Sequence, residues 1–206
     1  MVLCKHDPYD LRHHPDHNAN SPPGDKYHRV SFQGKGGSMV NTIAELLIQH
    51  KAIEFGDFTL ASGKKSPYYV DIKTAVTNPD LLVAIVSAIA KKHKFDVVAG
   101  VAVGGIPLAV ATSIMTKKPY AIIRAEEKGH GKKDVIIGAV KDVEVLLVED
   151  VTTSGGSALY GITALRAAGA LADRVVTVVD REQGAGEMLG QQGIHLLPLV
   201  KVSEIL

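Results

Sequence analysis

In the run Val145-Leu-Leu-Val-Glu149-Asp150-Val151-Thr152-Thr153-Ser154-Gly155-Gly156-Ser157, two adjacent carboxylates end an apolar stretch, and hydroxyls and glycines follow at once. The apolar part reads as a buried strand, Val145–Val148, and a helical pattern runs from Ala158 to Ala168. Acids, hydroxyls and free backbone N–H groups therefore collect at the carboxyl end of a strand. The first N–H groups of a helix have no intrahelical partner and lie at the positive end of its dipole, so such a loop favours a phosphate. Glu149 and Asp150 repel phosphate, but they suit the hydroxyls of a sugar or an Mg²⁺ ion that carries a diphosphate. A sugar with phosphate at both ends would engage the whole segment. An ordinary strand–turn–helix junction needs only a Ser or Thr cap, and paired acids followed by a glycine pair exceed that need.

Two further segments carry chemistry. Arg124-Ala-Glu-Glu-Lys128-Gly129-His130-Gly131-Lys132-Lys133 has little apolar content and reads as a mobile loop whose cations suit a diphosphate leaving group. A loop of this kind can close over a site, exclude water and bring cations where negative charge develops. By charge alone it would be a solvated surface loop. Asp180-Arg181 ends another apolar run, and a guanidinium there can pair a planar anion bidentately, which lysine does poorly. The alternative for Arg181 is a surface ion pair with Glu182 or Glu187.

The elements that must position these groups follow from the apolar pattern. Val40 to His50 has helical spacing, and Phe58–Ala61 and Tyr68–Ile72 read as short strands around the turn Ser62-Gly63-Lys64-Lys65-Ser66-Pro67. Pro79 opens a helix to about Lys92. A repeating order follows: strand Val97–Val101, Gly104-Gly105 and helix Pro107–Met115; strand Tyr120–Arg124 and the polar loop; strand Val145–Val148 and its helix; strand Arg174–Val179 and helix Ala185–Gln191; and strand His195–Val200. Continuously apolar strands alternating with helices indicate a parallel sheet covered on both faces. Ligands of such sheets bind beyond the carboxyl ends of the strands. Gly104-Gly105, Arg124, Glu149-Asp150 and Asp180-Arg181 all fall at such ends.

Residues 1–38 differ from the rest: five histidines, several prolines and Gly34-Lys35-Gly36-Gly37-Ser38, with no sustained apolar period. His13, His14 and His17 invite a metal reading, but Pro15 and the polar context favour a loose, solvated tail. The ordered protein is expected to begin near Met39, which leaves 1–38 as an extension, a cloning remnant or a mis-assigned start. Residues 39–206 are then one domain. With 206 residues, 46% apolar and 22% charged, the chain fits a single α/β domain with short additions. A net charge of +1 implies no general polyanion-binding surface, and Lys91-Lys92-His93-Lys94, the compact basic run, reads as a solvated helix end. The single cysteine, Cys4, excludes an internal disulfide and a cysteine-rich metal site. No apolar run reaches the roughly 20 residues a bilayer span needs, and no signal peptide is evident. The expectation is a cytoplasmic enzyme with neither membrane nor nucleic-acid partners.

The segment 145–157 resembles the phosphoribosyl-diphosphate (PRPP) signature of type I phosphoribosyltransferases. Phe55-Gly56-Asp57-Phe58-Thr59-Leu60-Ala61-Ser62-Gly63-Lys64-Lys65-Ser66-Pro67-Tyr68-Tyr69 is similar to the amino-terminal hood of the orotate phosphoribosyltransferases. The Arg-x-x-x-Lys-x-His-Gly loop resembles that family's catalytic loop, and Val179-Asp180-Arg181-Glu182-Gln183-Gly184-Ala185 its later orotate-binding segment. The four motifs stand in the family's order across residues 39–206. The resemblance implies a central, mostly parallel sheet flanked by helices, with a small hood over about 39–75 and a core over about 76–206. It implies transfer of phosphoribose from PRPP to orotate with Mg²⁺, in a homodimer whose loop 124–133 acts in trans. By position, Arg124, Lys128 and His130 would meet the diphosphate, Glu149 and Asp150 the ribose hydroxyls, and Val151, Thr152, Thr153, Ser154, Gly155, Gly156 and Ser157 the 5′-phosphate. Thr153 and Arg181 would contact orotate, with main-chain contacts from Tyr69 and Val70. The Mg²⁺ would be held mainly through PRPP, without a direct protein site.

The chain also departs from that pattern. Many members have lysine directly after the loop arginine, where Ala125 stands. Many bacterial members have lysine at the position of Ala61 and Tyr-Lys at Val103-Gly104. The diphosphate site is short of cations by that measure, a deficit left to Lys64, Lys65 or Lys132. Competing readings are a phosphoribosyltransferase for purines or another base, and a nucleic-acid-binding regulator on the same fold. A third is the first half of a bifunctional uridine monophosphate synthase. Against the last, the end at Leu206 leads to the expectation that any decarboxylase is a separate protein.

Overall fold

The computed structural model describes residues 39–59, 65–125 and 135–205. The tail reading of 1–38, the hood positions Ala61 and Lys64, and the loop residues Lys128, His130 and Lys132 lie outside the described residues.

Helix α1, Met39–Gln49, leads into the antiparallel pair β1, Ile53–Thr59, and β2, Lys65–Val70. This pair is the hood. β1 begins five residues before the expected Phe58, because Ile53, Glu54 and Phe55 already pair with Val70, Tyr69 and Tyr68. Ile72, expected to end the second strand, instead starts the four-residue helix α2, Ile72–Ala75. Asp71 causes the change: its carboxylate accepts from the N–H of Thr74 at 3.0 Å and from the Thr74 hydroxyl at 2.8 Å. That is the local hydrogen bonding that starts a helix.

Helix α3, Pro79–Lys92, has the expected bounds. Pro79 stands in the first turn, and the Asn78 side chain accepts from the N–H groups of Asp80 and Leu81 at 3.0 and 3.1 Å. Leu81, Ile85 and Ile89 recur every fourth residue and are fully buried, while Lys91 and Lys92 lie exposed in its last turn.

The remaining elements are β3, Val97–Val101; α4, Gly105–Thr116; β4, Tyr120–Ile123; β5, Ile136–Ile137; β6, Glu144–Thr152; α5, Gly156–Ala167; β7, Leu171–Asp180; α6, Ala185–Gly190; and β8, His195–Lys201. They build a six-stranded sheet of order β5-β4-β3-β6-β7-β8. All neighbours run parallel except β4 and β5. The two-residue β5 is too short to carry a sequence period.

Two clusters of buried side chains cover the sheet. One gathers Leu47, Ile85 and Leu108 of α1, α3 and α4 with Leu146 and Val148 of β6. The other gathers Ile162 and Leu165 of α5 with Val145 and Leu147. Successive β6 side chains thus alternate between the clusters, as a strand buried on both faces requires.

Candidate functional site

β6 is longer than its apolar run. Pairing with β7 continues through Val151↔Val179 and Thr152↔Asp180, so Glu149 and Asp150 are strand residues rather than the first residues of the loop. The alternation of β6 then sends the adjacent acids to opposite faces. Glu149 follows Leu147 towards α5, where the Ser157 hydroxyl donates to its Oε1 at 2.8 Å. Asp150 follows Val148 towards α2, where its Oδ2 is 3.8 Å from Lys73 Nζ. Both acids are almost wholly buried.

Burial pushes the Glu149 carboxyl up to about 7, reinforced by the neighbouring charge of Asp150 and opposed by the Ser157 hydrogen bond and by Lys73. Glu149 therefore changes charge near neutral pH, which suits a group that trades hydrogen bonds with substrate hydroxyls.

The β3–α4 turn closes the site from another side. Gly104 lies so close to Asp150 that an added Cβ would overlap its carboxylate carbon and both oxygens, all within 2.7 Å. Its backbone is an ordinary right-handed one, φ −63° and ψ −36°, so space and not torsion demands glycine there. The Ala102–Val103 peptide just before it is cis.

At the end of β6, Val151 is half-buried and Thr152 buried, while Thr153 and Ser154 beyond it are exposed. Gly155 adopts φ 84°, and a Cβ there would come within 2.8 Å of Met188 Cε. The first intrahelical bond of α5 joins the N–H of Leu159 to the carbonyl of Gly155 at 2.9 Å. The N–H groups of Gly156, Ser157 and Ala158 precede it and form the anion-attracting end of the helix.

At the end of β7, the Arg181 N–H donates to the Thr152 carbonyl at 2.9 Å, which ties Arg181 to the end of β6. The Thr152 hydroxyl donates to Asp180 Oδ1 at 3.3 Å, and the same oxygen accepts from the N–H of Glu182 at 2.9 Å. The Arg181 side chain turns to the hood, with its guanidinium carbon 5.0 Å from the centre of the buried Tyr68 ring. Glu182, one of the partners weighed for Arg181, instead accepts from the N–H of Ser203 at 2.7 Å.

The hood residues Tyr69 and Val70 close β2. Tyr69 is exposed and packs on Phe58 with ring centres 5.6 Å apart, and Val70 is half-buried opposite Ile53. Arg124 is exposed just past β4. Its N–H donates to the Val135 carbonyl at 2.9 Å, and its own carbonyl accepts from the Tyr160 hydroxyl at 2.9 Å. Lys65 donates to the Thr59 hydroxyl at 2.8 Å, within the hairpin. The structure thus gathers Glu149, Asp150, Ser157, Thr152 and Arg181 around adjoining strand ends.

Sequence reasoning missed Lys73, Tyr68 and the bridging role of Asp180. Tyr68 alternates with the exposed Tyr69 on a short strand, a pattern that marks it as inward-facing without naming its partner. Nothing in linear order links residue 73 to residue 150. Among the described residues, no group of three or more His, Cys, Asp or Glu forms a metal cluster, and no helix is long and apolar enough to cross a membrane.

Residues 72–190 match the family described as the phosphoribosyl transferase domain. An orotate phosphoribosyltransferase of Methanocorpusculum labreanum is 63% identical over 168 residues, covering 82% of this chain and 99% of that protein. The structure of an orotate phosphoribosyltransferase from Aeropyrum pernix superposes with a TM-score of 0.66 at 30% identity, covering 79% of this chain and 95% of that one. The UMP synthase of Leishmania donovani aligns with a TM-score of 0.69 at 30% identity, covering 82% of this chain but 37% of that longer chain. By sequence and by fold, the chain belongs to the type I phosphoribosyltransferase family, among its orotate phosphoribosyltransferases.

Proposed function

We infer that the protein transfers the 5-phosphoribosyl group of PRPP to orotate, releasing diphosphate and forming orotidine 5′-monophosphate. The observation that carries this reading is the register of β6 with β7, Thr152 opposite Asp180, which sets the acid pair and Arg181 at adjoining strand ends. In the reaction the C1–O bond of PRPP breaks, a C1–N1 bond to the pyrimidine forms, and N1 gives up its proton. Positive charge grows on the ribose and negative charge on the departing diphosphate.

Glu149 and Asp150 then belong beneath the ribose, accepting from its hydroxyls and countering the positive charge. The turn Val151–Ser157, with the free N–H groups of α5, holds the 5′-phosphate. Arg181 pairs the orotate carboxylate, helped by Thr153 and by the main chain of Tyr69 and Val70. Arg124, Lys128 and His130 meet the diphosphate from the neighbouring subunit of a homodimer, as loop 124–133 closes in trans. Mg²⁺ fits this donor set as a companion of PRPP, since it keeps several waters and binds through one or two carboxylates plus substrate phosphates. The ion would be carried by PRPP and would neutralise diphosphate charge. Residues 39–206 act as the single catalytic domain, and the enzyme works in the cytoplasm.

The test is the loss of orotate absorbance on mixing protein, orotate, PRPP and Mg²⁺. Consumption that requires both PRPP and protein supports the reading, and no consumption at saturating substrates rejects it.

A further inference from the structure

We propose that Lys73 is a further substrate-binding residue, one that delivers its ammonium group to the diphosphate of PRPP. The proposal rests on the reading of the site given above and deepens it. Three observations converge on Lys73.

First, its backbone is anchored while its side chain is free. α2 is fixed at its start by the Asp71–Thr74 hydrogen bonds and by burial of Ile72 and Ala75. The Lys73 side chain is 64% exposed and ends 3.8 Å from Asp150 Oδ2. A hydrogen-bonded ion pair would close to about 2.7–2.9 Å. Lys73 therefore stands beside the acid without being locked to it.

Second, the other described positions around Asp150 do not supply a cation. Gly104 presses bare backbone against Asp150, and Val103 beside it is 74% exposed and uncharged. Lys65, one of the lysines weighed as compensation, is turned to Thr59 on the hairpin. Among the described residues, Lys73 is the cation within 4.0 Å of either acid.

Third, the exposed Lys73 side chain has a stem long enough to exchange one anionic partner for another. Once ribose hydroxyls take over hydrogen bonding to Asp150, the flexible four-carbon stem can carry the ammonium to the diphosphate oxygens. A compact point charge is suited to that task. The rival account is a partly exposed ion pair with Asp150 that is weak and purely structural.

The experiment compares wild type with Lys73→Met and Lys73→Arg in steady-state kinetics, and measures binding of inorganic diphosphate by calorimetry. Lys73→Met keeps most of the apolar stem, and thermal melting confirms that it folds. The expected result is a fall of about ten- to a hundredfold in kcat/KM for PRPP, the scale of one charged hydrogen bond. Diphosphate affinity should weaken in parallel, KM for orotate at saturating PRPP should stay within twofold, and Lys73→Arg should restore most of the loss. Unchanged kcat/KM for PRPP in Lys73→Met overturns the proposal. So does a kinetic loss with unchanged diphosphate affinity, which would mean that Lys73 acts only through Asp150. Absence of turnover in wild type would instead reject the reading of the site, and the diphosphate titration would still report on Lys73.

Discussion

The Arg181 guanidinium lies over the ring of Tyr68, with Nε 3.5 Å from the Tyr68 hydroxyl. One residue belongs to the last third of the chain and the other to the hood, so this cation–π pair couples the hood to the core at the site. A guanidinium on an aromatic face gains about 0.5–2 kcal/mol, depending on how far it is desolvated. Contact with the ring and its hydroxyl also restricts the guanidinium, which matters for a planar, two-bonded grip on a carboxylate. Arg181→Lys should therefore raise KM for orotate about ten- to a hundredfold, the scale of losing a charged hydrogen bond. Tyr68→Phe keeps the ring and should cost less than fivefold, whereas Tyr68→Leu should approach the lysine variant. Steady-state kinetics with orotate varied at saturating PRPP checks the order.

Glu149 predicts a pH profile. Its carboxyl rises from the usual 4.5 to about 7 in the folded protein. A raised carboxyl favours the folded state while protonated. That contribution is complete below the unfolded value and is lost as pH rises through about 7. Binding of ribose hydroxyls runs the other way, because the carboxylate is the better acceptor. kcat/KM for PRPP should fall on the acid side with an apparent pKa near 7. Ser157→Ala removes a hydrogen bond that holds the value down, so the limb should move to higher pH. Glu149→Gln should abolish the limb while leaving a lower, flat rate. pH–rate profiles of the three proteins decide this.

Gly104→Ala separates activity from stability. The backbone at Gly104 accepts alanine, and the nearest atoms its Cβ would meet are those of the Asp150 carboxyl group. The melting temperature should shift by only a few degrees, on the order of 1 kcal/mol, while kcat/KM for PRPP drops at least tenfold as Asp150 is displaced. A large loss of stability with unaltered activity per folded molecule would contradict that placement.

Lys128 and Lys132 lie on the loop outside the described residues. If the loop reading holds, Lys128→Ala should reduce turnover more than Lys132→Ala. Equal and negligible losses in kcat would remove Lys128 from the catalytic set.

Much of this architecture was legible in the residues themselves. The unbroken apolar runs of β3, β6 and β7 announced a sheet buried on both faces, and Pro79 marked the start of α3 to the residue. The placement of the acid pair and Arg181 near strand ends was legible because each closes an apolar run. What escaped was set by pairing and not by type. β6 runs four residues past Val148 because β7 continues beside it, and that extension sends Glu149 and Asp150 to different faces. Ile72 left the strand pattern because Asp71 offered its backbone a helical alternative. Lys73 and Tyr68 reach the site only through tertiary packing, 77 and 113 positions from their partners.

The most direct test of the central claim is a base panel at fixed PRPP and Mg²⁺, with orotate, uracil, adenine, hypoxanthine and guanine offered singly and nucleotide products separated by chromatography. The account predicts a ribonucleotide from orotate, at least a hundredfold faster than from uracil, which lacks the carboxylate that Arg181 would grip. A purine turned over in preference to orotate, or uracil used equally well, would contradict it.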